Sequence, residues 1–370
     1  MNNSKIVWVP FSIMENFMKD VLMGVGVPEQ DAEICADVLI KADKLGIDSH
    51  GINRLKRIYY DRIKIGIQEP VTEFEIIRDK AAIAVVDGHN GMGQVISKKS
   101  MEIAINKAAE FGIGMVAARN STHYGIAGYY ALMATERDMI GITGTNARPS
   151  IAPTFGTENM LGTNPLTFGM PTDEDFPFLL DCATSVSQRG KIETYARKGE
   201  DIPGGWVINK DGKTETDSVK ILKDLIDGNS ALVPLGGIGE DTAGYKGYGY
   251  AAVVEILSAA LQSGNFMKML SGFNSSGEKI PYKLGHFFIA VDISAFTDPK
   301  DFKNITGNIL RSLRNSEKMP GQDRIYTAGE KEHIAWLERK DKGVPLSPDL
   351  QEEIKQLVAE LSLKGYDFPF

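Results

Sequence analysis

The strongest constraint on the fold is an alternation of short β-rich runs with helical segments in the middle of the chain. Residues 81–86 and 113–118 are rich in β-branched and small apolar residues, and residues 95–111 between them have helical spacing. A helix over residues 129–137 and a strand over 139–143 continue the pattern. Strands that alternate with helices of this length predict an α/β sheet protein.

Further segments extend this pattern towards both ends of the chain. Residues 178–182 (FLLDC) and 284–292 (LGHFFIAVD) are predicted strands. We expect helices at residues 29–45, from the Asp48-Ser49 turn onward, at 300–315 and at 347–363, and loops at 199–212 and 232–249. Three regions follow: a helical N-terminal region over residues 1–75, an α/β cofactor- and substrate-binding region over 76–320, and a helical C-terminal region over 321–370.

Charge and apolar content exclude several classes of protein. The 370 residues include 41 Lys and Arg against 49 Asp and Glu, and a net charge of −8 does not suit a nucleic-acid binder. No apolar run is long enough to cross a bilayer, and the stretch MNNSKIVWVPFSIMENF lacks the pattern of a signal peptide. We therefore expect a cytoplasmic protein with no membrane partner. Two cysteines, Cys35 and Cys182, are too few for a disulfide scaffold, and no Cys/His cluster has metal-ligand spacing.

The usual dinucleotide fingerprint is missing. The nearest match, GYGYAA at residues 247–252, precedes a predicted helix at 250–262 but follows a Gly-rich loop where a strand is required. No acidic residue lies about twenty positions further on. Any nicotinamide coenzyme must therefore bind without a Rossmann turn.

Two histidines are candidates for proton transfer. His50 is predicted at a helix start with Arg54 one turn later, so that a titratable imidazole and a carboxylate-binding guanidinium share a face. A capping His with a solvated Arg explains these two residues equally well. His123 follows the strand predicted at 113–118, and ligands collect at the carboxyl ends of strands. An incidental turn histidine is the alternative there.

Other polar positions are weaker candidates. Thr163 and Asn164 follow a Pro- and Gly-punctuated loop, and Asp181 ends a predicted strand ahead of small residues that suit phosphate or ribose. Lys246 precedes a predicted helix, which suits a phosphate, although a solvated loop lysine is commoner. We interpret His89, His286 and His333 as structural.

Five motifs occur together in a fixed order: SHGxxR at residues 49–54, NSTHYG at 120–125, LGTNPL at 161–166, LLDCATS at 179–185 and YKGYG at 245–249. With these motifs the chain resembles the type-2 malate/L-lactate dehydrogenase family, which includes sulfolactate and ureidoglycolate dehydrogenases and piperideine-2-carboxylate reductases. The resemblance runs from about residue 10 to residue 360. It implies a non-Rossmann NAD(P)-binding α/β fold with a mixed sheet and helical ends, and a homodimer.

The resemblance also implies roles for individual residues. Either His50 or His123 is the acid/base, with a slight preference for His50, and Arg54 binds the substrate carboxylate. Ser49, Thr163 and Asn164 are implied at the substrate. The implied coenzyme contacts are Asn146, Ala147, Leu179, Asp181, Cys182, Ala183, Thr184, Ser185, Lys246, Gly329 and Glu330. Ala328 stands where the family commonly has proline before the Gly-Glu turn, which weakens the Gly329 assignment.

The expected function is reversible hydride transfer between NAD or NADP and C2 of a small 2-oxo or 2-hydroxy acid, with malate and oxaloacetate preferred. Lactate, sulfolactate, ureidoglycolate and a cyclic imine acid are alternatives. A non-catalytic dinucleotide-binding protein and a metal-dependent lyase are alternatives from other classes. The choice between NAD and NADP is open, although Arg189 and Lys191 are candidates to meet a 2′-phosphate.

Overall fold

The computed structural model describes residues 6–370. Within this range the helices are α1 (Phe11–Gly24), α2 (Glu29–Lys44), α3 (Asp61–Lys64), α4 (Gly93–Phe111), α5 (Gly128–Thr135), α6 (Arg189–Lys198), α7 (Ser218–Asp227), α8 (Gly244–Ala259), α9 (Pro299–Arg314), α10 (Glu330–Arg339) and α11 (Pro348–Leu361). The strands are β1 (Val7–Val9), β2 (Glu75–Lys80), β3 (Ile83–Asp87), β4 (Ile113–Ser121), β5 (Met139–Thr145), β6 (Leu166–Met170), β7 (Phe178–Cys182), β8 (Val207–Asn209), β9 (Ser230–Leu232), β10 (Leu284–Asp292) and β11 (Val344–Leu346). No helix among these residues is long and apolar enough to cross a membrane.

A seven-stranded mixed sheet forms the centre of the molecule, in the order β2-β3-β4-β10-β5-β6-β7. Only β3 and β4 are parallel, and the other pairs are antiparallel. The strands predicted at 178–182 and 284–292 are β7 and β10, with the predicted bounds. The prediction of an α/β fold with a mixed sheet is confirmed.

Helices cover both faces of this sheet. On one face α4 packs against β3, β4 and β10 and α5 packs against β5, β6 and β7, with Val86, Ile96, Val116 and Phe288 in the core. A Cβ at Gly114 would lie 2.0 Å from the carbonyl oxygen of Ala104, so the closeness of α4 and β4 requires glycine there. On the other face of the sheet, α8 lies as close to β10 as α4 lies to β4.

The two ends of the described chain share one core. Helices α1 and α2 pack with α11, and Phe17, Leu39, Ile354 and Leu357 are buried together. The expected helical ends are confirmed, and β1 and β11 pair between them as a two-stranded sheet. Burial of this pair against α1 joins segments that lie more than 330 residues apart in the chain.

Two predicted loops are shorter than expected. Within residues 199–212, β8 pairs with β9, and both belong to a small lobe with α6 and α7 around Ile192. Helix α8 begins at Gly244 instead of residue 250, because Gly244 and Gly247 let its first turn pack against the preceding loop. A Cβ at these glycines would lie 1.9 Å from Gly237 O and 2.2 Å from Leu235 O.

The helix predicted from the Asp48-Ser49 turn begins later, at Ile52. A 3₁₀ turn (Ile52–Arg54) leads into a π-helical segment (Leu55–Tyr60) and then α3. The cap is distant in sequence: Asp43 Oδ2 accepts a hydrogen bond from the Ile52 N–H at 2.9 Å. Asp48, at the predicted start of the helix, instead pairs with Arg339. His50 therefore lies in a turn before the helix, not on a helical face with Arg54.

Candidate active site

The two candidate histidines lie side by side. His50 is in the turn after α2, His123 is in the loop after β4, and their ring centroids are 5.7 Å apart with the planes 21° from parallel. Each ring is partly exposed towards a cavity. The fold thus brings together two titratable side chains that are 73 residues apart in the sequence.

Hydrogen bonds fix the orientation of His123. Its Nδ1 lies 2.6 Å from the Tyr59 hydroxyl and accepts the Gly125 N–H at 3.3 Å. Because Nδ1 is an acceptor, the proton of the neutral ring is on Nε2. Burial lowers the pKa of His123 well below its usual value, and the neighbouring His50 and Arg54 lower it further. His123 is therefore neutral at pH 7.

His50 is also neutral at pH 7. Burial lowers the pKa of His50 to about 4, and the positive charge of Arg54 adds to the effect. The Ser49 hydroxyl lies 2.8 Å from His50 Nδ1 and orients the ring. A neutral imidazole is ready to accept a proton from a substrate hydroxyl.

His50 opens onto a cavity of about 460 Å³, here called the central groove. Of the predicted coenzyme contacts, Asp181, Cys182, Ala183 and Ser185 line it. Asp181 is held by the Gly128 N–H at 2.7 Å and by the Thr167 hydroxyl at 3.0 Å, and burial raises its pKa.

His123 opens onto a second cavity of about 280 Å³, here called the arginine pocket. Arg62, Arg148 and Arg189 line it together with Tyr282, and no Asp or Glu does. The Arg62 guanidinium stacks 4.4 Å from the Tyr282 ring. Thr163 lines both the arginine pocket and the central groove, so the two cavities adjoin at that residue.

Arg54 and Ser49 line neither of these two cavities. They line a third cavity, of about 370 Å³, with Gly190 and Glu193 from α6. Burial lowers the pKa of Arg54, and the Glu193 carboxylate opposes that shift. Arg54 thus acts electrostatically on both imidazoles without lining the arginine pocket.

Several predicted contacts have their side chains engaged within the protein. Asn164 donates to Glu255 and Ala251 O and accepts from the Ala147 N–H. Asn146 bonds Asn265 O and the Gly285 N–H, and the Thr184 hydroxyl donates to Thr163 O. These residues shape the loops around the cavities, and of this group Ala147 lines the arginine pocket.

The remaining predicted contacts lie apart from the central groove. Lys246 is exposed in the first turn of α8. Glu330 is buried, bonded to Arg324 and to the Thr327 N–H. Leu179 and Gly329 line a fourth cavity, of about 370 Å³, called here the outer cavity.

Sequence reasoning missed three residues of the site. Tyr59, Arg62 and Tyr282 are not among the candidate residues that the sequence indicates. All three depend on contacts between distant segments, which motif order does not reveal. His286, interpreted as structural, is buried with Nδ1 2.7 Å from Thr145 Oγ1 and Nε2 2.7 Å from Ser121 Oγ.

The family model described as malate/L-lactate dehydrogenase matches residues 9–355. The chain belongs to the malate/L-lactate dehydrogenase family. It is therefore a 2-hydroxy acid dehydrogenase of an NAD(P)-dependent family.

Individual members of the family are similar over nearly the whole chain. A malate dehydrogenase from Pyrococcus horikoshii is 43% identical over 357 residues, 96% of each chain. An L-sulfolactate dehydrogenase from Methanocaldococcus jannaschii is 40% identical over 349 residues, 94% of this chain and 96% of the other. The crystal structure of malate dehydrogenase from Entamoeba histolytica superposes with a TM-score of 0.95 at 43% identity, covering 99% of this chain and 100% of that one.

The central groove has the chemistry to hold a nicotinamide coenzyme of the kind this family uses. The Ser187 hydroxyl lines it, is buried and has no hydrogen-bond partner among the described residues. Buried hydroxyls are rarely left unpaired, so this one fits a ligand amide or ribose hydroxyl. The small residues Cys182, Ala183 and Ser185 leave room beside it.

Proposed function

We propose that this dehydrogenase interconverts malate and oxaloacetate, with NAD or NADP as coenzyme. The arginine pocket is the observation that carries the proposal, because three guanidinium groups without a lining carboxylate adjoin His123. Malate is a dianion, and arginine holds a carboxylate with two parallel hydrogen bonds. Lactate has only one carboxylate to offer this pocket.

In this proposal His123 exchanges a proton with the C2 oxygen of the substrate. In reduction the Nε2–H of His123 is donated to the C2 oxygen while Nδ1 takes up the proton of the Tyr59 hydroxyl bonded to it, and oxidation reverses both transfers. His50, beside it in the central groove, is the other candidate for this role. Bound coenzyme supplies or accepts the hydride at C2. Thr163, shared by the two cavities, lies where the reacting carbon meets the nicotinamide.

A substrate panel tests the reaction. We expect oxidation of NADH or NADPH with oxaloacetate at a kcat/KM at least about tenfold above that with pyruvate, since one carboxylate pair with Arg is lost. Sulfopyruvate and a cyclic imine acid complete the panel. Faster turnover of pyruvate or of the imine acid than of oxaloacetate would contradict malate as the substrate. Unchanged rates after chelator treatment separate this reaction from metal-dependent chemistry.

Two histidine variants assign the proton-transfer role. His123→Asn should lower kcat by about 10²- to 10⁴-fold while the affinity for NADH changes little, because acid/base catalysis is lost but the central groove is intact. His50→Asn should cost less turnover. The reverse order would assign the role to His50, and near-normal turnover of both would refute the assignment.

The substrate carboxylate contacts have their own test. Arg62→Lys should raise KM for oxaloacetate more than it lowers kcat, because a point charge replaces a two-pronged group. Arg54→Lys, made in parallel, tests the contact that the family resemblance implies. Arg137→Lys on the exposed surface is the matched control. An unchanged KM in both site variants would refute the proposal that Arg62 or Arg54 binds a substrate carboxylate.

Sulfolactate is the second candidate substrate. A sulfonate and a carboxylate give the same double negative charge, so the arginine pocket suits sulfopyruvate as well as oxaloacetate. The 40% identity with an L-sulfolactate dehydrogenase favours including it. The ratio of kcat/KM for the two substrates in the panel decides between them.

We also propose a homodimer that contacts through α8. This helix is apolar around its circumference, yet Tyr250, Val253 and Ile256 are 57%, 46% and 59% exposed. An apolar helix of this kind is normally buried. Sedimentation should give a dimer that Val253→Glu dissociates, whereas Val219→Glu on exposed α7 should not. A monomeric wild-type protein would refute the proposal.

A further inference from the structure

The outer cavity adjoins the central groove at one residue. Glu332, in the first turn of α10, lines both cavities. The outer cavity is formed mainly by α2, by the turn between β6 and β7, and by α10, with Leu132 of α5 and Leu179 of β7. Two cavities of about 460 and 370 Å³ that meet at one wall match a ligand with two linked nucleoside halves.

Aromatic rings suit the outer cavity to a flat base. Phe176 and His333 stack with centroids 5.0 Å apart and planes at 24°, and Trp336 lines the same cavity. Aromatic faces bind nucleobases by stacking, with little regard to base identity. Because His50 lines the central groove and His123 lines the adjoining arginine pocket, the nicotinamide half belongs in the central groove and the adenosine half in the outer cavity.

The charges around the outer cavity are mostly negative. Asp37, Asp175 and Glu332 line it against Lys41 and Lys44, and Lys44 already faces Glu15 at 3.8 Å. The Tyr129 hydroxyl donates to Asp37 at 2.5 Å and holds that carboxylate in place. A ribose 2′-hydroxyl can donate to a carboxylate, whereas a 2′-phosphate is repelled by one.

We infer that the carboxylates of Asp37, Asp175 and Glu332 make this enzyme select NAD(H) over NADP(H) at the outer cavity. The inference rests on the proposed function, since it assumes that a nicotinamide coenzyme binds. The two residues considered earlier for a 2′-phosphate are elsewhere. Arg189 lines the arginine pocket and pairs with Glu193 at 3.1 Å, and Lys191 lines the central groove, with its ammonium 4.8 Å from the Trp206 ring.

Binding measurements test the outer cavity separately from turnover. Adenosine 5′-monophosphate and adenosine 2′,5′-bisphosphate represent the adenosine halves of the two coenzymes. We expect the first to change the fluorescence of Trp336, a signal that Trp336→Phe removes, and to bind at least about tenfold more tightly than the second. NADH should exceed NADPH in affinity by a similar factor.

A charge-removing variant provides the second arm. In the variant that combines Asp37→Asn, Asp175→Asn and Glu332→Gln, we expect the affinity ratio of the two adenosine phosphates to narrow by about tenfold or more. The affinity ratio of NADH to NADPH should narrow by a similar factor, and both ratios should become insensitive to salt. The matched control combines Asp211→Asn, Asp227→Asn and Glu317→Gln, which are exposed and line none of these cavities. Glu332→Gln alone, with a smaller effect in the same direction, covers failure of the triple variant to fold.

Each outcome distinguishes the two proposals. Equal or tighter binding of the 2′-phosphorylated ligands by the wild type would overturn the selection, and so would ratios that the triple and single variants leave unchanged. Binding of NADH without any Trp336 response to adenosine 5′-monophosphate would overturn the placement of adenosine but leave the proposed function standing. Failure of NADH and NADPH alike to bind would overturn the proposed function itself.

Discussion

At the scale of single residues, Tyr59 determines which nitrogen of His123 meets the substrate. Its hydroxyl lies 2.6 Å from Nδ1, and burial raises the pKa of Tyr59, so the phenol of the free enzyme keeps its proton at any physiological pH. A donor that bonds Nδ1 stabilises the neutral ring and leaves the Nε2 position for the substrate. Tyr59 is thus a positioning residue for the proposed acid/base.

Removal of that hydroxyl should be visible in the pH profile. Tyr59→Phe should raise the pKa of His123, because the neutral ring loses a hydrogen bond, and move the acid limb of kcat/KM to higher pH. Turnover should fall by about tenfold or more. Tyr60→Phe, which loses a hydroxyl bonded to Glu360 at 2.6 Å, is the matched control. An unmoved pH profile in Tyr59→Phe would refute the positioning role.

The histidines of this site were predictable, but their setting was not. His50 and His123 stand in short motifs whose order identifies the family. Tyr59 looks like an apolar helix position in the sequence because its hydrogen-bond partner is 64 residues away. Arg62 and Tyr282 meet only through tertiary packing, so no spacing in the sequence predicts the arginine pocket.

At the scale of elements, Asp43 connects α2 to the turn that carries His50. Its Oδ2 accepts the Ile52 N–H, and a Cβ at Gly51 would lie 1.9 Å from Oδ1. Burial raises the pKa of Asp43 well above its usual value, although the Ile52 bond and Arg339 oppose the shift. The helix start therefore depends on a cap from the preceding helix.

Two substitutions at Asp43 should separate its cap from its charge. Asp43→Ala should lower the free energy of unfolding by about 1–2 kcal/mol through loss of the cap, and raise KM for the substrate as the His50 turn loosens. Asp43→Asn keeps an acceptor and should cost less. Asp298→Ala removes the cap of α9, a helix that lines none of the four cavities, and should lower stability without changing KM. Equal KM in Asp43→Ala and wild type would contradict this coupling.

Helices and strands with a clear apolar periodicity were predictable from the sequence. Helix starts that depend on contacts with other segments were not. Strands β7 and β10 and helix α2 agree with their predicted positions because their apolar patterns are local. The start of α8 depends on glycine contacts with the preceding loop, and the start of the Ile52 helix depends on Asp43. Neither contact leaves a signal in the adjacent sequence.

At the scale of the whole molecule, three neutral histidines sit in or beside the centre of the fold. His286 is in β10, the middle strand of the sheet, and burial lowers its pKa to about 3. Its ring stacks on Tyr124 at 4.5 Å, the residue next to His123. The uncharged imidazole of His286 thus contacts the ends of β4 and β5 and the loop that carries His123.

These buried imidazoles should make stability depend on pH. A histidine whose pKa is lowered by folding takes up its proton first in the unfolded state, so stability is full above about pH 6.5 and falls as the pH is lowered towards the folded pKa, by about 1.4 kcal/mol per pH unit for each group. For His50 the window ends near pH 4, and for His286 near pH 3. We expect the free energy of unfolding to decline through this window.

The contribution of His286 can be isolated against a histidine of opposite sign. His286→Gln should reduce the slope of the free energy of unfolding against pH, between pH 6.5 and 4.5, by about 1.4 kcal/mol per pH unit. This is the slope expected for one group that binds a proton only in the unfolded state. His89 is exposed and bonded to Glu75 at 2.8 Å, which raises its pKa, so it contributes stability at low pH. His89→Gln should therefore lower the free energy of unfolding throughout this range without changing the slope, because the pH dependence that His89 contributes lies above pH 6.5. Urea unfolding of the three proteins across this range measures the slopes, and a parallel set of curves would show that the imidazole of His286 is protonated as readily folded as unfolded.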